Sequence, residues 1–174
     1  MRTNQTDSET HSIGKGMIIV SMIMIIGLLT YLFQGEIDQR YNPNQQVSSI
    51  QTAHNQIEIT LKRNRAGHYV TTGKINDKKV VFLLDTGATY VAIPLHLADR
   101  LQLKKGRSIS ISTANGRSKG YQTQIDKISM GDIQLYNIKA IITPNLEEIL
   151  LGMSVLKQLE FTQRGDQLTI RQYL

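Results

Sequence analysis

Residues 80–88 read VVFLLDTGA, an apolar run that ends in the tetrapeptide Asp85-Thr86-Gly87-Ala88, and a second apolar run, VAIP, follows at 91–94. A buried carboxylate costs free energy unless specific partners hold it. A tight turn between two buried strands can supply them, since Gly allows backbone conformations closed to other residues and the Thr hydroxyl can hydrogen-bond to nearby backbone. A surface turn is the alternative, because Asp, Thr and Gly all form turns. The apolar flanks favour the buried turn.

The sequence from Gln56 onward predicts a small, mostly β barrel or sandwich with one or two short helices. Short apolar segments alternate with turn residues throughout this part of the chain. The Asn115-Gly116 pair predicts the tip of a hairpin. The predicted strands are 57–61, 68–75, 80–84, 91–94, 108–113, 120–128, 133–136, 138–143 and the arms of a closing hairpin within 160–173, with short helices at 95–101 and 153–159.

Residues 17–33 carry no charge and are predicted to form a transmembrane helix. Gln34-Gly35-Glu36 is a poor cleavage site, which favours an uncleaved anchor over a signal peptide. Arg2 and Lys15 precede the segment, so a weak positive-inside bias predicts a cytoplasmic tail at 1–16. Residues 34–55 are polar and are predicted to be a linker, and 56–174 the folded domain. In a bacterium this arrangement implies the inner membrane, with the domain in the periplasm.

The composition excludes several classes of site. The 174 residues include no cysteine, so disulfides and thiol nucleophiles are excluded, and the four histidines are scattered. No metal or other cofactor is expected. The net charge of +6 includes two weak basic clusters, at 62–65 and 104–107. Such clusters could contact anionic lipid or nucleic acid, but no aromatic platform accompanies them, so nucleic-acid binding is not expected.

Three features in order resemble the retropepsin-like aspartic proteases (clan AA), and the layout resembles their membrane-anchored, single-domain bacterial type. They are the turn at Asp85, the hairpin about thirty residues later where this family places its flap, and an apolar run that ends in Leu151-Gly152 before a short helix. The resemblance covers about 56–174. It implies a small closed β-barrel of the acid-protease type and an aspartic endopeptidase that hydrolyses peptide bonds.

The chain contains one Asp-Thr-Gly motif, whereas aspartic protease chemistry needs two carboxylates that share a proton. A second copy must therefore come from a second chain, which predicts a twofold homodimer with two Asp85 carboxylates facing each other. The resemblance implies the same. Thr86 would brace the loop through its hydroxyl, and Gly87 would let the backbone approach. Ala88 replaces the Ser or Thr of pepsin-like enzymes, which implies activity at mildly acidic to near-neutral pH.

The remaining site predictions concern substrate. The hairpin tip formed by Thr113, Ala114, Asn115 and Gly116 would close over an extended peptide, unless it is an ordinary exposed hairpin. Leu151 and Gly152 would pack against the catalytic turn, unless they form a plain strand-to-helix junction. The alternative function is a non-catalytic module that binds a peptide or partner on the same fold. Self-cleavage within 34–55 is a further hypothesis.

Overall fold

The computed structural model describes residues 6–52, 55–113 and 116–174. The chain divides after Asp38 into two units. In chain order the elements of the described ranges are α1 (Thr6–Tyr41), β1 (Ser49–Thr52), β2 (Gln56–Lys62), β3 (Val70–Ile75), β4 (Lys78–Leu84), β5 (Val91–Pro94), α2 (Leu95–Ala98), β6 (Ser108–Thr113), β7 (Gly116–Met130), β8 (Ile133–Thr143), β9 (Ile149–Leu151), α3 (Met153–Leu156), β10 (Glu160–Arg164) and β11 (Gln167–Tyr173).

The helix α1 contains the uncharged run at 17–33, whose side chains are all exposed in the chain. Its segment Lys15–Tyr41 is long and apolar enough to cross a membrane. An amphipathic core helix would carry one polar and one apolar face, and this run is apolar all round. The composition is therefore not that of an amphipathic core helix.

The larger sheet forms a ring of strands. Its hydrogen-bonded order is β3-β4-β9-β5-β8-β7-β6, and β3 also pairs with β7, which brings the order back to its start. Most neighbours are antiparallel, but β4 pairs with β9, and β5 with β8, in parallel. The strand β6 extends from the ring as the outer arm of a hairpin with β7.

The smaller sheet has the order β1-β2-β11-β10 and shares one hydrophobic core with the ring. Ile59 and Leu61 of β2 and Leu168 and Ile170 of β11 point into that core, because alternate residues of a strand face the same side. The mostly β fold predicted from the sequence is confirmed. The short helices are also present, each a single turn at α2 and α3.

The two apolar runs that flank the Asp85 turn are buried to different degrees. All four residues of β5 are buried. In β4 the pattern alternates instead, with Val80 and Phe82 buried and Val81 39% exposed. The expectation that the whole first run is buried is therefore wrong, because one face of β4 points to solvent.

The segment 34–55, predicted as a polar linker, contains the end of a helix, a short strand and buried, hydrogen-bonded residues between them. The helix α1 continues to Tyr41, and β1 pairs with β2. Asn44 is buried: its side-chain amide donates to the carbonyls of Lys62 (2.8 Å) and Val70 (2.7 Å), and its Oδ1 accepts from the Lys62 amide (2.7 Å). Asn42 donates to the Thr72 hydroxyl (2.9 Å). Buried side-chain amides whose hydrogen bonds are satisfied can attach a segment to the domain without apolar contacts. The low hydrophobicity of this segment therefore did not prevent it from packing against β2 and β3.

Candidate active site

Asp85 is the first residue after β4, and its backbone still follows the sheet. The Leu84 amide donates to the Tyr69 carbonyl (3.0 Å), and the Asp85 amide donates to the Leu151 carbonyl (3.2 Å). The second bond continues the parallel pairing of β4 with β9, in which Leu84 lies opposite Leu151. The carboxylate is thus carried by a backbone that two neighbouring segments fix in place.

The chain turns directly after Asp85. The Gly87 amide donates to the Asp85 carboxylate Oδ1 (2.8 Å), and the Ala88 amide donates to the Asp85 carbonyl (3.2 Å). A carboxylate that accepts a backbone bond two residues on forms an Asx turn, which holds its orientation. A Cβ on Gly87 would lie 3.2 Å from that Oδ1, a crowded distance, whereas its φ is not in the left-handed region. Glycine therefore leaves space beside the carboxylate that a side chain would crowd by a few tenths of an ångström, and the expectation of a special backbone conformation is wrong.

The turn is open to solvent in the single chain. Asp85 and Ala88 are half-buried, and Thr86 and Gly87 are exposed. Within the described residues the Thr86 hydroxyl has no hydrogen-bond partner, so it does not brace its own loop as predicted. The motif is held by backbone bonds and by the one Asp85–Gly87 contact, and its outer surface is uncovered.

Leu151 and Gly152 lie directly against this turn. The Met153 amide donates to the Ala88 carbonyl (2.8 Å), and the Ser154 amide donates to the Thr89 carbonyl (3.0 Å). A Cβ on Gly152 would lie 2.6 Å from the Ala88 carbonyl oxygen and would also collide with the Tyr90 carbonyl. No side chain fits at this position without movement of backbone, so Gly152 is required by the close approach of β9 to the turn.

Ser154 is a contributor that sequence reasoning missed. Its Oγ accepts a hydrogen bond from the Val91 amide (3.0 Å), at the start of β5. The segment 88–91 is therefore tied to the start of α3 by three hydrogen bonds, which Met153 and Ser154 make with Ala88, Thr89 and Val91. A serine in a short helix carries no sequence signal for such a contact, because its partner lies 63 positions away.

Of the predicted flap residues, the structure describes Thr113 and Gly116, at the end of the β6–β7 hairpin. Thr113 lies opposite Gly116 in the register of the two strands, which pair back to Ser108 and Tyr121. Ala114 and Asn115 lie outside the described residues. Asn145, in the segment before β9, donates to the Ser118 hydroxyl of β7 (3.3 Å). The hairpin thus makes one polar contact with the segment that leads into Leu151 and Gly152.

Two further observations limit the chemistry of this site. Among the described residues, no three His, Asp or Glu side chains are close enough together to hold a metal ion. A cavity of about 290 Å³ lies between β3, β4, β7 and β8 and is lined by residues such as Thr72, Lys79 and Lys127. None of its lining residues belongs to the Asp85 turn. That cavity is therefore separate from the half-buried Asp85.

Comparisons with known proteins agree with this geometry. Two uncharacterized bacterial proteins are similar over most of the chain. One, encoded in the cobV 5′ region of a Sinorhizobium species, is 29% identical across 92% of this chain and 76% of that protein. The other, from Rickettsia prowazekii (strain Madrid E), is 27% identical across 88% of this chain and 68% of that protein. Among solved structures, a retropepsin-like aspartic protease from Rickettsia conorii matches with a TM-score of 0.59 and 29% identity, covering 73% of this chain and 96% of that one.

The family comparison covers the same part of the chain as the site. Residues 71–158, just over half of the chain, match the family described as "gag-polyprotein putative aspartyl protease". This range contains both Asp85 and Gly152. With its mostly β fold, the chain belongs to that aspartyl protease family and has the retropepsin-like fold.

Proposed function

We propose that this protein is a membrane-anchored aspartic endopeptidase that acts as a homodimer, with Asp85 of each chain in one shared active site. The observation that carries the proposal is the Asp85 turn itself. Its backbone is fixed by β9 and α3, while Asp85 is only half-buried and the next two residues, Thr86 and Gly87, are exposed. A carboxylate on a rigid backbone beside an exposed surface suits a site that a second chain completes.

The chemistry requires two carboxylates a few ångströms apart, because like charges at that distance keep one proton between them. The ionised carboxylate takes a proton from a water molecule, and the protonated one donates its proton to the carbonyl oxygen of the scissile peptide bond. The water oxygen then attacks the carbonyl carbon. The Gly87 amide, 2.8 Å from Oδ1, would keep the carboxylate aimed at this water.

The exposure of Thr86 supports a second chain at this position. A hydroxyl that has no partner in its own loop is available to bond the same loop of a twofold mate, since a symmetric interface brings identical residues together at the axis. The turn does not line the cavity between β3, β4, β7 and β8, and a groove for a peptide would also be completed by the dimer. Each chain would supply one Asp85 and one wall.

A substrate peptide would bind in an extended conformation. The strand β6 is at the end of the strand order and pairs on one side with β7, so its other edge can accept backbone hydrogen bonds from a peptide. Closure of the β6–β7 hairpin over that peptide would exclude water from the dyad. The tip at 113–116 is the part of the hairpin that would reach furthest.

The anchor would be α1, since its Lys15–Tyr41 segment has the length and composition to cross a bilayer. Confinement to a membrane raises the effective concentration of two chains and so favours a dimer. The weak charge bias places the domain outside the cytoplasm. In a bacterium this would be the periplasmic side of the inner membrane.

The decisive experiment is cleavage of an unfolded protein by the purified full chain and by the D85N variant. Loss of cleavage with an unchanged circular dichroism spectrum is expected, and D126N, an exposed aspartate on β7, should remain active. Cleavage that persists in D85N would overturn the proposal. Binding of peptide without any cleavage by the wild-type chain would instead favour a non-catalytic module.

A mixing experiment tests the shared site. If wild-type and D85N chains pair at random in equal amounts, about a quarter of the dimers keep both carboxylates, because each site needs both chains. Activity per wild-type chain should then fall by about half. Activity that stays proportional to the wild-type chain alone would show that one Asp85 suffices.

The working pH follows from Ala88, half-buried beside the turn. A hydroxyl at this position could donate to the ionised carboxylate and favour that form. The A88S variant is therefore expected to shift the acidic limb of the kcat/KM profile to lower pH. An unchanged profile would show that this position does not face the dyad.

A further inference from the structure

The last residue of α1 is hydrogen-bonded to the loop between β2 and β3. The Asn64 side-chain amide donates to the Tyr41 carbonyl (3.0 Å). The Asn64 Oδ1 accepts from the amides of Ala66 (3.0 Å) and His68 (2.9 Å), so the same side chain also sets the shape of the loop. This loop is therefore held at the point where the helix ends.

The loop and its neighbour are strongly basic. Arg63 and Arg65 are exposed, and the Arg63 amide donates to the Asp166 carbonyl (2.7 Å), which places the β10–β11 turn beside it. We call the four basic residues gathered here the junction patch; they are Lys62, Arg63, Arg65 and Arg164, all exposed. In the described part of the chain none of them forms an ion pair with a carboxylate. Asp166, together with Glu148, whose carboxylate interacts with the Tyr41 side chain, leaves the area with a net charge of +2, from four positive and two negative groups.

Few residues of chain separate the apolar run at 17–33 from Tyr41, to which the loop of the junction patch is hydrogen-bonded. Tyr41 follows Phe33 by eight residues of continuous helix, a rise of roughly 12 Å at about 1.5 Å per residue. The lipid headgroup layer occupies about half of that distance, and the Debye length at physiological salt is about 8 Å. The helix between them carries Glu36, Asp38 and Arg40, a net charge of −1 that the junction patch outweighs.

We propose that the junction patch contacts the anionic phospholipid headgroups of the leaflet from which α1 emerges. The inference rests on the membrane anchoring proposed above, and it does not require protease activity. Unpaired, exposed cations within a Debye length of a negatively charged surface are attracted to it. Since Asn64 links the loop to Tyr41, this attraction would hold the whole domain in one orientation at the membrane rather than let it turn freely.

The other basic cluster, Lys104-Lys105-Arg107, provides a comparison. It lies between α2 and β6, and those lysines are exposed. Its residues have no hydrogen bond to the end of α1 among the described contacts. Lipid attraction based on overall charge alone would involve both clusters equally, whereas the proposal singles out the junction patch.

The test uses the full chain in lipid vesicles, with energy transfer from a dye on the loop to an acceptor dye on lipid headgroups. The chain has no cysteine, so A66C on the exposed loop gives a single labelling site. Vesicles of phosphatidylcholine alone are compared with vesicles that also contain phosphatidylglycerol. Transfer should rise in the anionic vesicles and should return to the lower value at about 1 M salt, where the Debye length is about 3 Å.

Charge-changing substitutions in the two basic clusters show which cluster contacts the lipid headgroups. The R63Q/R65Q pair should lower the ratio of docked to undocked domain in anionic vesicles roughly thirty-fold, if each arginine contributes as juxtamembrane basic residues usually do. The R63K/R65K pair keeps the charge and should behave as the wild type. The K104Q/K105Q pair makes the same charge change on the other cluster and should leave the transfer unchanged.

Each remaining outcome is decisive. Equal transfer in neutral and anionic vesicles, or an equal loss in K104Q/K105Q, would overturn the proposal while leaving the anchor and the protease intact. A chain that alkaline carbonate removes from the vesicles would show that α1 is not an anchor, and both proposals about the membrane would then fall. Protease activity, measured on the same samples, reports separately on Asp85.

Discussion

Replacement of Gly152 by alanine tests how tightly the active-site turn is packed. The new Cβ would lie 2.6 Å from the Ala88 carbonyl oxygen and nearer still to the Tyr90 carbonyl oxygen, and ordinary contacts begin at 3.4 Å, so the backbone must move by at least about 0.8 Å. Overpacking of this kind costs about 1–3 kcal/mol in the free energy of unfolding. Because Ala88 belongs to the Asp85 turn, the same movement should displace the carboxylate, and a displacement of about 1 Å lowers catalysis roughly 100-fold.

Two measurements separate these effects. Denaturant unfolding gives the change in stability, and kcat measured well below the midpoint of unfolding gives the effect on the dyad. The control is G35A in α1, where an added Cβ meets nothing within 4 Å, and it should change neither quantity. A G152A variant with wild-type stability and kcat would refute the argument that β9 and the turn are in rigid contact.

Two other predictions concern parts of the fold away from the turn. N44A should lower the free energy of unfolding by about 2–4 kcal/mol, because the groups that bond to this buried side chain lose three hydrogen bonds. N145A, an exposed control, should change the free energy of unfolding by less than about 0.5 kcal/mol. A hydrogen bond from Tyr173, together with Arg171, lowers the pKa of Glu160 below its usual 4.5. The Tyr173–Glu160 hydrogen bond therefore stabilises the fold above pH 4.5, and this contribution disappears as the pH falls through the lowered pKa. Y173F should therefore lose less stability than the wild type as the pH falls below about 4.5. Thermal unfolding of both chains from pH 7 to 3 checks this, and the same pH dependence in both would contradict it.

The strands around the site were predictable because their apolar residues alternate or run together between turn residues. The segments that became β4, β5 and β9 all showed this pattern, and a single acidic residue at the end of one of them marked Asp85. The close approach at Gly152 was also expected from the sequence. Local sequence was sufficient here because the contacts of the turn extend regular strand pairing.

The structure of the segment before β2 was not predictable in the same way. Asn42 and Asn44 are buried through hydrogen bonds to Lys62, Val70 and Thr72, which lie 18 to 30 positions away. A polar segment without periodicity resembles a linker unless those distant partners are known. The exposure of Thr86 was missed for a related reason, since local sequence does not indicate how much of the turn one chain can cover.

The pairing of β2 with β11 has a consequence for the order in which the domain is made. Gln56 lies opposite Tyr173, so the first long strand of the domain pairs with a strand that is synthesised much later. Strand β11 also lies between β2 and β10, and it adds Leu168 and Ile170 to the core. Contacts so distant in sequence form late. A nascent chain therefore carries the Asp85 motif well before the fold around it can close, and a chain that stops before Gln167 would keep the motif without a complete domain.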